Sequence, residues 1–169
     1  QKMAEDIDEM EKMLSDYLQY AKSQTEEKSV KININKLIGN ILKKYDPSKY
    51  NFISNNVPEI QGRENLIKRC ILNVIENGFA YGNKIFVETK KSINSIIVTI
   101  EDNGPGIPKN EYPNVFRPFY RIDKSRGLNK SGIGLGLSVA QDITKSHGGN
   151  ISLSESRYKG LLVKISFPF

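Results

Sequence analysis

The sequence has one cysteine and one histidine among its 169 residues, and this scarcity excludes several classes of chemistry. Cys70 has no partner for an internal disulfide, and because it lies in an apolar helical pattern we expect a small buried thiol. Zinc-binding spacings are absent, and His147 alone cannot serve a mechanism that needs several histidines. The phosphate-loop motif that ends in Gly-Lys-Ser/Thr is absent as well.

Long apolar runs are also missing. An aliphatic run such as 96–98 is far shorter than the roughly 18 residues of a membrane-spanning helix, and no signal-peptide pattern opens the chain. We therefore expect a soluble, cytosolic fragment. The chain starts at Gln1 rather than Met and leads directly into a helical pattern, which favours a piece of a longer protein. Its length suits a domain of about 140 residues with an appendage.

The charge is unevenly distributed along the chain. Residues 1–27 hold three basic and eight acidic side chains, net −5, and the remaining 22 basic and 11 acidic side chains give net +11. A basic body is compatible with nucleic-acid binding. However, the lysines are scattered and no aromatic-basic motif is present, so a phosphate-bearing ligand or an acidic partner fits equally well. We expect no nucleic-acid partner.

The first 22 residues carry a narrow apolar stripe at alternating spacings of four and three, which predicts a helix of a bundle or coiled coil. Its members are Met3, Ile7, Met10, Leu14, Tyr17 and Ala21. The alternative is a helix folded back on its own domain, although so narrow a stripe covers a globular core poorly. Residues 23–29 are polar and predict a linker, and residues 30–169 then form the compact domain.

Within the domain, the periodicity switches repeatedly between two and 3.6 residues. Strands are predicted near 30–34, 51–54, 84–90, 95–101, 150–155 and 161–167, and helices near 37–45, 63–81 and 135–147. The region 108–131 is predicted to be irregular. This order predicts an α+β fold, a two-layer sandwich with helices on one face of a mixed, mostly antiparallel sheet.

Three short segments carry candidate site residues. Asn73, Asn77 and Tyr81 are four residues apart, so they share one face of the predicted helix. The two amides could hold a hydrated divalent cation through side-chain oxygen. They could equally cap or hydrogen-bond nearby backbone.

The second segment follows a predicted strand and reads Asp102-Asn103-Gly104-Pro105-Gly106-Ile107-Pro108. Asp102 at a strand end can present a fixed acceptor to an amino group such as that of adenine, and the glycines allow close backbone approach. The same composition also suits a plain turn. In the third segment, Gly132, Gly134 and Gly136 lead into a helix, whose N terminus favours anions.

Four ordered motifs together are far more specific than any one of them. They are residues 69–82, 102–108, 115–123 (Val-Phe-Arg-Pro-Phe-Tyr-Arg-Ile-Asp) and 132–137 (Gly-Ile-Gly-Leu-Gly-Leu). They resemble the N, G1, F and G2 boxes of bacterial two-component sensor histidine kinases of the EnvZ type. The resemblance covers residues 30–169 and implies the Bergerat ATP-binding fold shared with gyrase, mismatch-repair and heat-shock-chaperone ATPases. Residues 1–22 resemble the second helix of the dimerisation hairpin.

The resemblance implies a role for each matching residue. Asn77 would ligate Mg²⁺ with support from Asn73, and Asp102 would accept from the adenine amine. A mobile lid, residues 108–131, would be anchored by Phe116 and Phe119, and Arg121 could reach the phosphates. The other implied nucleotide-binding residues are Tyr81, Gly104, Gly106, Ile107, Tyr120, Gly132, Ile133, Gly134, Leu135, Gly136 and Leu137. The glycines at 132, 134 and 136 would act as both hinge and phosphate cradle.

By the same resemblance, the chain would bind Mg²⁺ and ATP and phosphorylate a histidine on a hairpin helix outside this sequence, since His147 stands where the family uses a structural residue. The partners would be a response regulator receiver domain and a second copy of the protein, which would form a homodimer through the hairpin helices. The chain would be the cytoplasmic portion of a protein of the bacterial inner membrane.

Alternatives and departures accompany this interpretation. Asn73 replaces the glutamate that activates water in hydrolytic relatives, which favours phosphoryl transfer over rapid hydrolysis. Ala80 stands where the family usually has Lys or Arg, Ile133 replaces a small hydroxyl residue, and Gly78 replaces a common alanine. These departures predict weakened nucleotide affinity. The alternatives are a non-catalytic module that binds nucleotide or a regulator, a hydrolytic ATPase, and, from charge alone, a nucleic-acid binder.

Overall fold

The computed structural model of the chain describes residues 2–122 and 134–169. This part contains the helices α1 (Lys2–Glu26), α2 (Ile34–Leu42), α3 (Glu64–Tyr81) and α4 (Gly136–Ser146). Its strands are β1 (Val30–Ile32), β2 (Tyr50–Ser54), β3 (Ile60–Gly62), β4 (Ile85–Lys91), β5 (Ser95–Asp102), β6 (Asn150–Glu155) and β7 (Leu161–Pro168).

The larger sheet has the strand order β2-β4-β5-β7-β6. Only the β2–β4 pair is parallel, and the other pairs are antiparallel. Side chains alternate between the two faces of each strand. In β7, for example, Leu161, Val163, Ile165 and Phe167 are buried against the helices, while the residues between them face outward. The predicted α+β sandwich with helices on one face is confirmed.

The helices of the domain bury continuous apolar faces against this sheet. α3 contributes Leu66, Ile67, Cys70, Ile71, Val74 and Ile75 to the core. α2 begins where the Asn33 side chain accepts a hydrogen bond from the Lys36 amide at 3.0 Å, a normal N-cap. α4 ends at Ser146 and is followed by Gly148, which has the left-handed backbone (φ 71°) common after helices. β1 and β3 form a separate two-stranded antiparallel sheet beside these helices.

The first helix is longer than the sequence predicts. It continues to Glu26, so the first four residues of the predicted linker 23–29 are helical. The helix end is held by the domain: the Arg63 guanidinium donates to the Gln24 carbonyl at 2.7 Å, and Tyr20 is buried. The extension therefore depends on a tertiary contact that a local polar pattern does not reveal.

The predicted stripe of α1 is left uncovered in the described structure. At least half of the surface is exposed in each of Met3, Ile7, Met10, Leu14 and Tyr17. The alternative in which this stripe packs on its own domain is therefore wrong for these residues.

Candidate functional site

The predicted site residues converge around the C-terminal half of α3. Gly78 lies so close to the sheet that an added Cβ would be 3.0 Å from Ile85 Cγ2 and 3.7 Å from the Asp102 Cβ. The glycine that lowers helix propensity at this position thus allows α3 to approach the end of β5. As a result, Asp102 lies next to the turn of α3 that carries Asn77.

Asp102 is buried, with 5 % of its surface exposed. Its Oδ1 accepts hydrogen bonds from the Gly104 amide at 2.8 Å and the Leu161 amide at 3.3 Å. Burial raises the pKa of the carboxyl group, and the two amide hydrogen bonds lower it. These two bonds fix the orientation of the carboxylate. Both use Oδ1, and the other oxygen, Oδ2, accepts neither of them.

Close backbone approach surrounds this carboxylate. A Cβ on Gly104 would lie 2.9 Å from Asp102 Oδ1 and 2.7 Å from the Tyr81 carbonyl. A Cβ on Gly160 would lie 2.1 Å from Oδ1 and 2.2 Å from the Asp102 carbonyl oxygen. Only glycine fits at these distances, so the backbone itself forms the wall of the Asp102 site.

Asn103 fixes the connection between α3 and β4. Its Oδ1 accepts from the backbone amides of Asn83 and Lys84, both at 3.0 Å, and its Nδ2 donates to Asn83 Oδ1 at 2.6 Å. The sequence motifs do not point to Asn103, Gly160 or Leu161 as site residues. The Asp-Asn-Gly sequence could have indicated a structural Asn103, whereas nothing local indicates that Gly160 and Leu161 reach Asp102.

Asn73 connects α3 to the start of α4. Its Nδ2 donates to the Gly136 carbonyl at 3.3 Å, and both asparagines of the predicted pair are half-buried. Gly136 is the first residue of α4, so the third glycine of the 132–137 motif lies beside the first asparagine. Asn73 therefore contacts backbone, as one of the two hypotheses predicts, and it does so across two motifs.

The aromatic motif meets the glycine motif through the main chain. The Phe119 amide donates to the Gly134 carbonyl at 2.9 Å, and Gly134 has φ 79°, which suits glycine. The Tyr120 hydroxyl donates to the Glu111 carboxylate. Phe116 packs on the core, whereas the Phe119 side chain is 64 % exposed. Its backbone makes the contact.

The remaining predicted residues take varied positions. Tyr81 ends α3 with its side chain 49 % exposed, and Arg121 is exposed. Gly106 has φ 75° and lies against the Lys159 carbonyl. Ile107 and Leu135 pack on the core, and Leu137 is buried in it. Gly132 and Ile133 lie outside the described residues.

His147 has a structural position. Its Nε2 accepts from the Arg63 amide at 3.1 Å, and its Nδ1 lies 2.7 Å from the Ile143 carbonyl, which fixes Nδ1 as the protonated nitrogen. Burial lowers the pKa of the ring. Cys70 is buried, and burial raises the pKa of its thiol to about 12, as expected for an unreactive thiol.

Acidic, cysteine and histidine side chains do not gather into a metal-binding group of three or more anywhere in residues 2–122 and 134–169. Over the same ranges, none of the helices has the length and apolarity needed to cross a membrane.

Solved structures with the same fold include histidine kinases. The chain aligns with full-length ShkA in complex with AMPPNP at TM-score 0.79 and 18 % identity, covering 98 % of this chain and 37 % of that one. It aligns with the mycobacterial sensor histidine kinase MprB at TM-score 0.69 and 24 % identity, covering 84 % of this chain and 97 % of that one. Identities this low establish the fold alone.

Curated relatives by sequence are sensor histidine kinases. GtrS of Pseudomonas aeruginosa is 29 % identical over 170 residues, 99 % of this chain and 35 % of GtrS. ArlS of Staphylococcus aureus is 38 % identical over 112 residues, 64 % of this chain and 25 % of ArlS. The chain thus spans about a third or less of the length of these relatives.

The family model of the histidine kinase-, DNA gyrase B-, and HSP90-like ATPases matches residues 62–169, which include α3, the Asp102 loop and the glycine motif before α4. The chain belongs to this ATPase family, and its relatives within it are sensor histidine kinases.

Proposed function

We propose that the chain binds Mg-ATP between α3, the Asp102 loop and the N terminus of α4, and that it transfers the γ-phosphoryl group to a histidine on a helix outside this sequence. The observation that carries the proposal is the Asp102 carboxylate, buried at a strand end with Oδ1 held by two amides. Its Oδ2 can accept from the exocyclic amine of adenine, and the surrounding glycine backbone lets a flat base approach.

The phosphates would lie toward α4. The first turn of a helix offers free N–H groups and the positive end of the helix dipole, both of which favour anions. Gly134 and Gly136 are at this end, with Asn73 bonded to Gly136. Tyr120 and Arg121 follow the segment that is joined to Gly134, so we infer that they approach the same end of the nucleotide.

The donor set near α3 fits magnesium held mainly by its substrate. Mg²⁺ usually keeps several waters and binds through one or two protein groups together with the phosphates. Asn77 offers one amide oxygen, and the described residues supply no carboxylate cluster that would hold the ion alone. When bound, the ion would neutralise charge on the transferred phosphoryl group. Asn77 would orient the ion, and Asn73 would position α4.

Asn73 also supports transfer to a protein over hydrolysis. An amide is a poor base, and here its nitrogen donates to the Gly136 carbonyl. A glutamate at this position would place a carboxylate against that carbonyl. His147 is unsuited as the acceptor because both ring nitrogens are occupied by backbone groups.

The uncovered stripe of α1 supports a wider assembly. We propose that it packs against hairpin helices in a homodimer of the longer protein, which lies in the bacterial inner membrane with this portion in the cytoplasm. The phosphoryl group would pass from the histidine to the receiver domain of a response regulator.

Titration with a fluorescent ATP analogue, with and without Mg²⁺, tests binding. Asp102→Ala should abolish binding, and Asn77→Ala should remove the Mg²⁺ dependence. No binding at millimolar nucleotide would contradict the proposal and favour a module that binds only a regulator.

A second experiment tests the acceptor. The chain should not label itself with γ-labelled ATP, whereas addition of a separate hairpin bearing the histidine should give labelled hairpin. Release of free phosphate without a labelled helix would instead identify a hydrolytic ATPase.

A further inference from the structure

The turn between β6 and β7, residues 156–160, contacts both faces of the end of β5. On the inner face, Gly160 lies against Asp102, and the Leu161 amide donates to Asp102 Oδ1. On the outer face, the same turn reaches Glu101. Since neighbouring residues of a strand point to opposite faces, Glu101 and Asp102 hold the turn from opposite sides.

Glu101 is buried, with 4 % of its surface exposed, and accepts four hydrogen bonds from the turn. Oε2 accepts from Ser156 Oγ at 2.8 Å and from the Arg157 amide at 3.3 Å. Oε1 accepts from Arg157 Nε at 3.2 Å and Nη2 at 3.0 Å. Hydrogen bonds to an ionised group are stronger than neutral ones, and this arrangement satisfies both oxygens.

Other contacts hold the turn on both faces of the sheet. The Tyr158 ring stacks on Phe86 of β4, with centroids 3.6 Å apart, on the outer face. The Ser156 amide donates to the Gly160 carbonyl at 2.9 Å, so a displacement of Ser156 is passed to Gly160. The Lys159 carbonyl lies against Gly106 of the Asp102 loop.

We propose that Glu101 is a positioning residue for recognition of the adenine amine. It acts from the far face of the sheet: it holds Ser156 and Arg157, and these hold Gly160 and Leu161 against Asp102. The orientation of the Asp102 carboxylate, and hence the preference for a base that carries an amine, depends on this link. The inference rests on the proposed nucleotide site.

Glu101→Gln is the informative variant because it keeps the shape of the side chain. An amide has one acceptor oxygen and one donor nitrogen, so it cannot accept from four donors. Some donors of the turn must then lose their partner, and the turn is loosened without a cavity in the core.

The probes are ATP and purine riboside 5′-triphosphate, which is ATP without the exocyclic amine. The unmodified chain should bind ATP about tenfold more tightly than the amine-free analogue. In Glu101→Gln, ATP affinity should fall about tenfold, and affinity for the analogue should change by less than about twofold. A variant that is only less stable would bind both probes with equally altered affinity.

The matched control is Glu88→Gln. Glu88 lies on the same outer face, in β4, but its carboxylate contacts Lys90 at 3.1 Å and Asn55 at 3.4 Å, and its charge acts on Arg157 less than that of Glu101 does. This variant should keep the preference for ATP. If Glu101→Gln keeps the preference as well, or weakens both probes equally, the inference is overturned. If the unmodified chain shows no preference, the proposed adenine site itself fails.

A milder variant and a second readout cover the case in which Glu101→Gln does not fold. Arg157→Gln changes a side chain that is 64 % exposed and should reduce the preference for ATP in the same direction. Amide hydrogen exchange of Leu161 should accelerate in both variants and remain unchanged in Glu88→Gln. Unaltered exchange at Leu161 would show that Glu101 does not fix the turn.

Discussion

At the scale of single residues, Asp102 combines burial with a charge that the fold does not fully compensate. Burial is the largest cause of its raised pKa, so the ionised form is disfavoured in the folded protein. Asp102 thus weakens folding at neutral pH although it is buried at a strand end. Residues of this kind are typical of binding sites.

Asp102→Asn should therefore separate binding from stability. The amide oxygen can still accept from Gly104 and Leu161, while the amide nitrogen presents a donor to the adenine amine. ATP affinity should fall about tenfold or more. The free energy of unfolding, measured by urea denaturation, should be unchanged or higher. Asp142→Asn, at an exposed position of α4, should change neither quantity, and a clear loss of stability in Asp102→Asn would contradict the argument.

Gly160→Ala is expected to damage the same site sterically. The added Cβ would lie 2.1 Å from Asp102 Oδ1, so the turn and the carboxylate must separate. We expect a loss of about 1–3 kcal/mol in the free energy of unfolding, as in overpacked cores, together with weaker ATP binding.

Gly39→Ala is the control for that substitution. A Cβ at Gly39, inside α2, would meet nothing within 4 Å. This variant should gain about 0.5–1 kcal/mol of stability by chemical denaturation, because alanine is the better helix former. Equal effects of the two alanines would show that the contact at Gly160 is not decisive.

At the scale of elements, the C-terminal end of α1 contacts the N-terminal end of α3. Arg63 Nη1 donates to the Gln24 carbonyl of α1, and the Glu27 carboxylate accepts from the Asn65 amide in the first turn of α3 at 2.7 Å. Arg63 thus caps the C terminus of α1, and Glu27 caps the N terminus of α3. A positive charge at a helix C terminus and a negative charge at an N terminus both interact favourably with the helix dipole.

Glu27→Gln should loosen this junction. Loss of a charged cap costs about 1 kcal/mol locally, so residues 23–29 should become more sensitive to limited proteolysis and exchange their amide hydrogens faster. Lys22→Gln, which removes an exposed pair with Glu26 at 4.0 Å, should have no effect. If both variants behave alike, the junction does not depend on Glu27.

The elements were largely predictable because their apolar periodicity is strong. The predicted strand 150–155 coincides with β6, and the predicted helix 63–81 with α3 to within one residue. β3 was missed because Ile60-Gln61-Gly62 is too short for a period to emerge. The helical end of α1 was missed because its stabilising partner, Arg63, is distant in sequence.

The site was predictable in part for a similar reason. The motifs point to Asn73, Asn77 and Asp102 as candidate nucleotide-binding residues, because their chemistry is visible in their residue types, and this stays a prediction. Gly160 and Glu101 are ordinary turn and strand residues in sequence, and the contacts of Gly160 with Asp102 and of Glu101 with the turn arise only when β7 pairs with β5.

At the scale of the whole molecule, the single histidine makes stability decrease as the pH falls below neutral. Burial lowers the pKa of His147 below its ordinary value near 6.5. The unfolded chain then binds more protons than the folded one as the pH falls through that range. Stability is therefore fully present above about pH 6.5 and decreases below it.

Urea denaturation between about pH 5.5 and 8 measures this dependence. The decrease in stability below about pH 6.5 should disappear in His147→Gln, since no other histidine is present in the sequence and the raised pKa values of Asp102 and Glu76 act in the opposite direction. An undiminished slope in that variant would assign the dependence to other groups.

The close packing of Gly78 on Ile85 restricts insertions and deletions within α3. In the proposed nucleotide site, α3 presents Asn73 and Asn77 from the edge of its buried face, and each inserted residue would turn the helix by about 100°. A one-residue insertion between 64 and 72 would therefore point Asn73 and Asn77 away from the phosphates or lift the helix from the strands. Natural insertions should accumulate in the connections of the domain, and α3 should keep its length.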